Sequence, residues 1–165
     1  MRSVIFFFFC LASYSSYATS IKIGFIDTDK VVTNLTQYRQ SIEAISREFE
    51  PKKQELLDLF NHIELLRSNI DSIKESNSSK SLNESLSNLT NLELSFRQET
   101  EFWQKTMNNK KIKLLNDIEM IINQAINEYA IQEKYDLILY KNVAFVSDKV
   151  NITEEIIEKI EKQEL

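Results

Sequence analysis

Trp103, Met107, Lys110 and Leu114 follow one another at spacings of four, three and four residues, so on a helix they share one face. Phe96 lies on the same stripe, and Lys111 sits beside Lys110. An aromatic ring and a flexible thioether next to cations can accept many different unfolded chains. Met adapts in shape, and lysines steer acidic segments. Lys105, Lys110, Lys111 and Lys113 form the only sizeable basic cluster, with no acid between Glu101 and Asp117. Phe96, Trp103, Met107, Lys110, Lys111 and Leu114 are therefore the candidate binding residues. The plainer alternative is that Trp103 and Met107 pack on a partner helix while the lysines stay solvated.

No catalytic constellation is visible, and an enzyme is not expected. His62 is the only histidine, so no histidine pair or zinc motif can form within one chain. Gly24 is the only glycine, which excludes Gly-rich phosphate loops, and no metal or cofactor is expected. The formal charge of −5 argues against a nucleic-acid binder working by bulk charge. Asn-x-Ser/Thr triplets occur at Asn34, Asn77, Asn83, Asn88 and Asn151, as chance products of an Asn- and Ser-rich chain.

The elements that must carry the binding face lie between Tyr38 and Lys134, a stretch with no Gly and one Pro, Pro51. Ile42, Phe49, Leu56, Ile63 and Ile70 recur every seventh residue, and Ile45, Lys52, Leu59, Leu66 and Ile73 form the companion series. Such a seam must face a partner helix and favours left-handed supercoiling. Pro51 predicts a kink where the arm leaves its base. The second arm, with Leu82, Leu86, Leu89, Phe96, Trp103, Met107 and Leu114, is looser, since Glu93, Thr100 and Lys110 share its stripe. After Leu114 the stripe slips to Ile118, Ile121, Ala125 and Tyr129, a stutter. The polar run 76–82 predicts the hairpin tip, with Ser81 and Glu84 at capping-box spacing. The arm then covers 51–129, and the base 19–50 and 130–165.

Met1 to Ala18 reads as a secretory signal cut after Ala18, with Arg2 ahead of an apolar run. Cys10, the only cysteine, lies inside it, so the mature chain uses no disulfide. Ile21–Asp27 reads as a strand with Ile21, Ile23 and Phe25 on one face, followed by a helix capped by Thr28 or Asp29. Thr36 is the expected cap of the long arm. Tyr135–Tyr140 and Val143–Val146 read as two further strands joined by a Lys141-Asn142 link. Thr153 is expected to cap a last helix, with Ile152 and Ile157 as a hydrophobic staple. The fold class is α+β, mostly α: a long coiled-coil hairpin on a small three-stranded base. A core that small, with open strand edges, predicts that several chains join their bases into a barrel. Ile21, Ile23, Phe25, Leu137, Leu139, Val143 and Phe145 are the candidate oligomer interface.

IKIGFIDTDKVV at 21–32 and KYDLILYKNVAFVSDKVNITEEIIEKI at 134–160 resemble the Skp (OmpH-like) family of periplasmic chaperones. The middle of the chain is similar only in kind, as a long helical hairpin. The resemblance implies a periplasmic homotrimer whose strands build a central barrel. Three hairpins would then enclose unfolded outer-membrane β-barrel proteins, without ATP or catalysis. This chain departs from the family in three ways: Asn151 stands where Asp is usual, Lys134 where Gly is usual, and the net charge is acidic. The last leaves contact with an anionic membrane surface open. The rival reading is an exported structural or adaptor coiled coil that holds no client.

Overall fold

The computed structural model describes residues 20–75 and 79–163. The expected signal and its cleavage site lie outside the described residues, as do residues 76–78 of the expected tip. The side chains of residues 73–80, that of Ile73 included, lie outside them too. The elements run β1 (Ile23–Ile26), α1 (Thr28–Asn34), α2 (Thr36–Glu75), α3 (Ser79–Glu133), β2 (Leu137–Tyr140), a 3-10 turn (Asp148–Val150) and α4 (Thr153–Gln163). The described chain is mostly helical, with β1 and β2 paired in parallel from Ile23 opposite Leu137 to Ile26 opposite Tyr140.

α2 and α3 form the hairpin, roughly 60 and 80 Å long at 1.5 Å per residue. The seven-residue seam of α2 faces α3 as its spacing requires. Leu56, Ile63 and Ile70 are buried, while Ile42, Ile45, Phe49, Leu59 and Leu66 are half-buried. α2 stays helical through Pro51. On α3, Leu82, Leu89, Phe96, Trp103, Met107 and Leu114 are half-buried. Leu86, expected on the same stripe, is exposed instead. Ser81 is the third residue of α3 rather than its cap, because the helix already begins at Ser79.

Beyond Leu114 the stripe slips inward as Ile118, Ile122 and Ala125. These three join Ile26, Val31, Leu35, Ile152, Ile156 and Ile160 in one buried core. Ile121 and Tyr129 pack against that core from its edge.

The helix caps of the base differ from the sequence reading. α1 is capped by Asp27, whose Oδ1 accepts the Lys30 N–H at 2.9 Å. Thr36 is the first residue of α2, and its N–H donates to Glu161 Oε1 at 2.7 Å, so α4 caps α2. Thr153 is buried and caps nothing. Its hydroxyl accepts the Asp27 N–H at 3.0 Å and donates to Asn151 Oδ1 at 2.6 Å. Beside it the Ile152 N–H donates to the Phe25 carbonyl at 2.9 Å. Asn151-Ile152-Thr153 therefore stitches the start of α4 to the end of β1. Ile152 belongs to the core, and Ile157 packs against that core. Gly24 makes the close fit possible. A Cβ there would lie 2.9 Å from Ile152 Cδ1 and 3.1 Å from the Tyr135 ring.

The expected third strand, Val143–Val146, does not form among the described residues. Lys141 and Asn142 nevertheless adopt φ of 58° and 54°, the left-handed values that a two-residue hairpin turn needs. These two residues bend the chain, but within one chain the segment after them has no ladder partner. The face shared by Ile21, Ile23 and Phe25 points away from the core, where Gly24 and Ile26 are buried.

α3 ends on Lys134 at φ 56°. Tyr135 N–H closes back onto the Ala130 carbonyl at 2.9 Å, and Lys134 N–H onto the Ile131 carbonyl at 3.3 Å. This terminator places its left-handed residue where glycine is preferred. A Cβ in that conformation costs about 1–2 kcal/mol. Lys134→Gly should therefore raise stability by about 1 kcal/mol, read as a higher urea midpoint with unchanged slope. A lower midpoint would show that the Lys134 side chain contributes more than its backbone costs.

Candidate binding site on the helical arms

The polar residues that interrupt the seam are matched across it. Lys52 pairs with Glu99 at 2.7 Å and with Glu55 at 2.8 Å. Arg67 pairs with Glu93 at 2.6 Å and with Glu64 at 2.8 Å. Lys110 pairs with Glu48 and lies 5.7 Å from the centre of the Phe49 ring. Glu93 and Lys110, which loosen the stripe of the second arm, thus each have a partner on the first arm. Thr100 is different, since its hydroxyl is buried without a hydrogen-bond partner.

The clasp is electrostatic in both directions. Hydrogen bonds with Glu55, then Glu99, raise the Lys52 ammonium above its ordinary value. The bond from Lys52, then that from Ser95, holds the Glu99 carboxyl below its own. Glu93 likewise raises the Arg67 guanidinium. All these groups are solvent-accessible, so each pair contributes modestly to stability, and register is their larger effect.

Trp103 sits at the centre of this zone. Its indole Nε1–H donates to the Phe49 carbonyl at 3.2 Å, in the turn before Pro51. A groove of about 690 Å³ opens beside it, lined by Phe49, Lys52, Glu99, Phe102, Trp103 and Thr106 among others. A second groove of about 310 Å³ lies further out, where the Phe60 and Phe96 rings meet at 5.9 Å.

The structure brings Phe96, Trp103, Met107 and Leu114 together on the face of α3 that meets α2 and the base, each half-buried. Lys110 is engaged by Glu48, whereas Lys111 makes no ion pair among the described residues. The apolar side chains most open on the arms were not selected by the stripe argument. They are Phe102, Met120, Leu65, Ile112 and Leu94, and Phe102 is 73% exposed. They fall between the heptad positions of α2 and α3, where spacing gives no signal.

Most of the candidate interface residues of the base are exposed. Ile23, Leu137 and Leu139 are exposed by 39, 46 and 39%, Phe145 by 83%, and Ile21 and Val143 are exposed as well. Phe25 is half-buried. Among the described residues no group of His, Cys, Asp and Glu could hold a metal ion, and no helix is long and apolar enough to cross a membrane.

With the geometry in place, the comparisons are specific. The family model described as outer membrane protein (OmpH-like) matches residues 22–160. A solved structure of a candidate outer membrane chaperone (OmpH-like) from Caulobacter crescentus superposes with a TM-score of 0.74 at 12% identity. The match covers 87% of this chain and 86% of that one. At that identity the likeness carries the fold alone. No curated protein matches.

The pH dependence of the arm follows from the sign of the Glu99 shift. A carboxyl with a lowered folded pKa stabilises the folded arm above its unfolded value and loses that contribution as pH falls through the folded one. The emission of Trp103, the only tryptophan, should therefore shift to the red as pH falls below about 4.3. Emission unchanged to pH 2 (a tenfold series of acid steps at constant salt) would mean that the Lys52–Glu99 clasp does not hold the arms together at Trp103.

Proposed function

Because this chain belongs to the OmpH-like family of outer membrane proteins, we propose that it is an ATP-independent holdase of the periplasm. It binds unfolded outer-membrane β-barrel proteins and prevents their aggregation in transit. The observation that carries this reading is the exposure of large apolar side chains along the hairpin, outside its seam. Exposed residues such as Phe102 are of little use to a two-helix seam, but they suit contact with polypeptides that have buried nothing yet. The groove beside Trp103, together with the stretch of α3 that carries Phe96, Met107, Lys110, Lys111 and Leu114, is the proposed client contact. Lys110 reaches a client only by exchanging Glu48 for a client carboxylate.

The proposed assembly is a homotrimer joined through the bases. The number three comes from the family resemblance. The joining itself has a physical motive here. Parallel sheets occur almost only with both faces covered, yet Ile23, Leu137 and Leu139 leave one face open. The turn at Lys141-Asn142 presents Val143 and Phe145 without a partner strand. Neighbouring chains can supply both the cover and the pairing. In this reading the chain is cut after Ala18, the base spans 19–50 and 130–165, and the arm spans 51–129.

Two measurements test the proposal. The mature protein should suppress light scattering when a urea-unfolded β-barrel outer-membrane protein is diluted into buffer without nucleotide. Full aggregation at a molar excess of trimer would contradict the holdase reading. In sedimentation the protein should run as a trimer, and Leu139→Asp should shift it towards monomer by placing a charge in apolar packing, at a cost of several kcal/mol. A folded, monodisperse monomer of the unaltered protein would contradict the assembly.

A further inference from the structure

Leu94 and Ile112 are 18 residues apart, and so are Phe102 and Met120. Each separation is about five turns at 3.6 residues per turn, so the four side chains run along one side of α3. All four are exposed. Phe102 precedes Trp103 and is turned about 100° from it around the helix, where it is 73% exposed. Lys105 and Lys113 occupy the same side and are exposed, with no ion pair among the described residues. Lys110, on the side facing α2, is the lysine of the cluster that Glu48 neutralises. The outward side of α3 from Phe102 to Asn116 thus carries apolar groups, amides and unpaired cations, and no acid.

We infer that this strip, continuous with the groove beside Trp103, takes the client's extended segments, and that it selects those in which acidic side chains alternate with apolar ones. The inference rests on the holdase reading and names what the arm recognises. Charge complementarity fixes the occupant. In a chain that is acidic overall, the acid-free cationic stretch from Phe102 to Asn116 attracts acidic segments that its surroundings repel, and repels basic ones. The apolar rows suit segments of a β-barrel, whose strands alternate apolar and polar residues. An extended chain repeats its like-facing side chains about every 6.7 Å. Laid along α3 it can therefore meet Phe102, Lys105, Ile112 and Lys113 without any fixed register, as a holder of many sequences requires. Phe102 is also part of the wall of the groove beside Trp103, so the strip continues into that groove.

The test uses the mature assembled protein and labelled peptides of about ten residues, the length of a membrane-spanning strand. One peptide alternates Phe and Asp, and the other alternates Phe and Lys. The acidic peptide should bind more tightly. Lys105→Glu with Lys113→Glu should weaken it about ten-fold at low ionic strength and much less at high ionic strength. Phe102→Ser, at an exposed position, should weaken both peptides at every ionic strength without changing the unfolding midpoint. Unchanged peptide affinity in these variants, while the unaltered protein still suppresses aggregation, would refute the strip and leave the holdase standing. Failure of the unaltered protein both to bind peptide and to suppress aggregation would remove the holdase, and the strip with it. Two further outcomes also refute the strip as a client site. One is a change in sedimentation alone, which would make it a contact between copies. The other is a change only in binding to anionic phospholipid vesicles, which would make it a lipid contact.

Discussion

The parallel pairing of β1 with β2 is the constraint on which the rest of the chain depends. These four-residue strands close a loop that contains the whole hairpin, from Ile26 to Leu137. Closure of a flexible loop that long costs several kcal/mol of chain entropy, and a two-stranded sheet alone is marginal. The deficit is met by what crowds around the strands. Thr153 and Asn151 tie the end of β1 to α4, and Glu161 of α4 caps α2. Glu128 of α3 pairs with Lys159 of α4 at 3.0 Å, and bonds from Gln124, Lys159 and Gln163 hold its carboxyl down to about 2. Every long element is thus fastened to the short base, and the arms are left free beyond it.

The arms show a second logic. A seam this long made only of Ile and Leu would tolerate slippage by whole heptads. Charges at Lys52, Arg67, Glu93, Glu99 and Lys110 find partners only in one alignment. Exposed pairs add little to stability but penalise misregister. The same device leaves the seam open to water in the middle, where the groove beside Trp103 lies.

Much of this was legible in the residues. The absence of Gly and the heptads at Leu56, Ile63 and Ile70 specify α2 and its buried side, since helical period is a local property. The slip at Ile118 was legible for the same reason. The third strand was not: Val143–Val146 has strand-like alternation, but a strand needs a partner, and one chain does not supply it. Caps were misread by a residue or more. Asp27 lies in an apolar strand pattern, and the hydroxyl of Thr153 is claimed by a backbone N–H more than a hundred residues away. At the candidate site, spacing found Trp103, Met107 and Leu114, which share a face because they pack. It missed Phe102, because an exposed apolar residue off the heptad positions has no periodic signature. The ion pairs of Lys52 and Lys110 cross between helices, so no single-helix spacing could reveal them.

A base that assembles and arms that hold the client should be separable by hydrogen exchange of the assembled protein, with and without an unfolded outer-membrane β-barrel protein. Amides of α3 between Leu94 and Met120 should slow when the client is present, while those of β1, β2 and α4 keep the protection they already had. Protection gained at the base, or no change anywhere at saturating client, would contradict this division of roles.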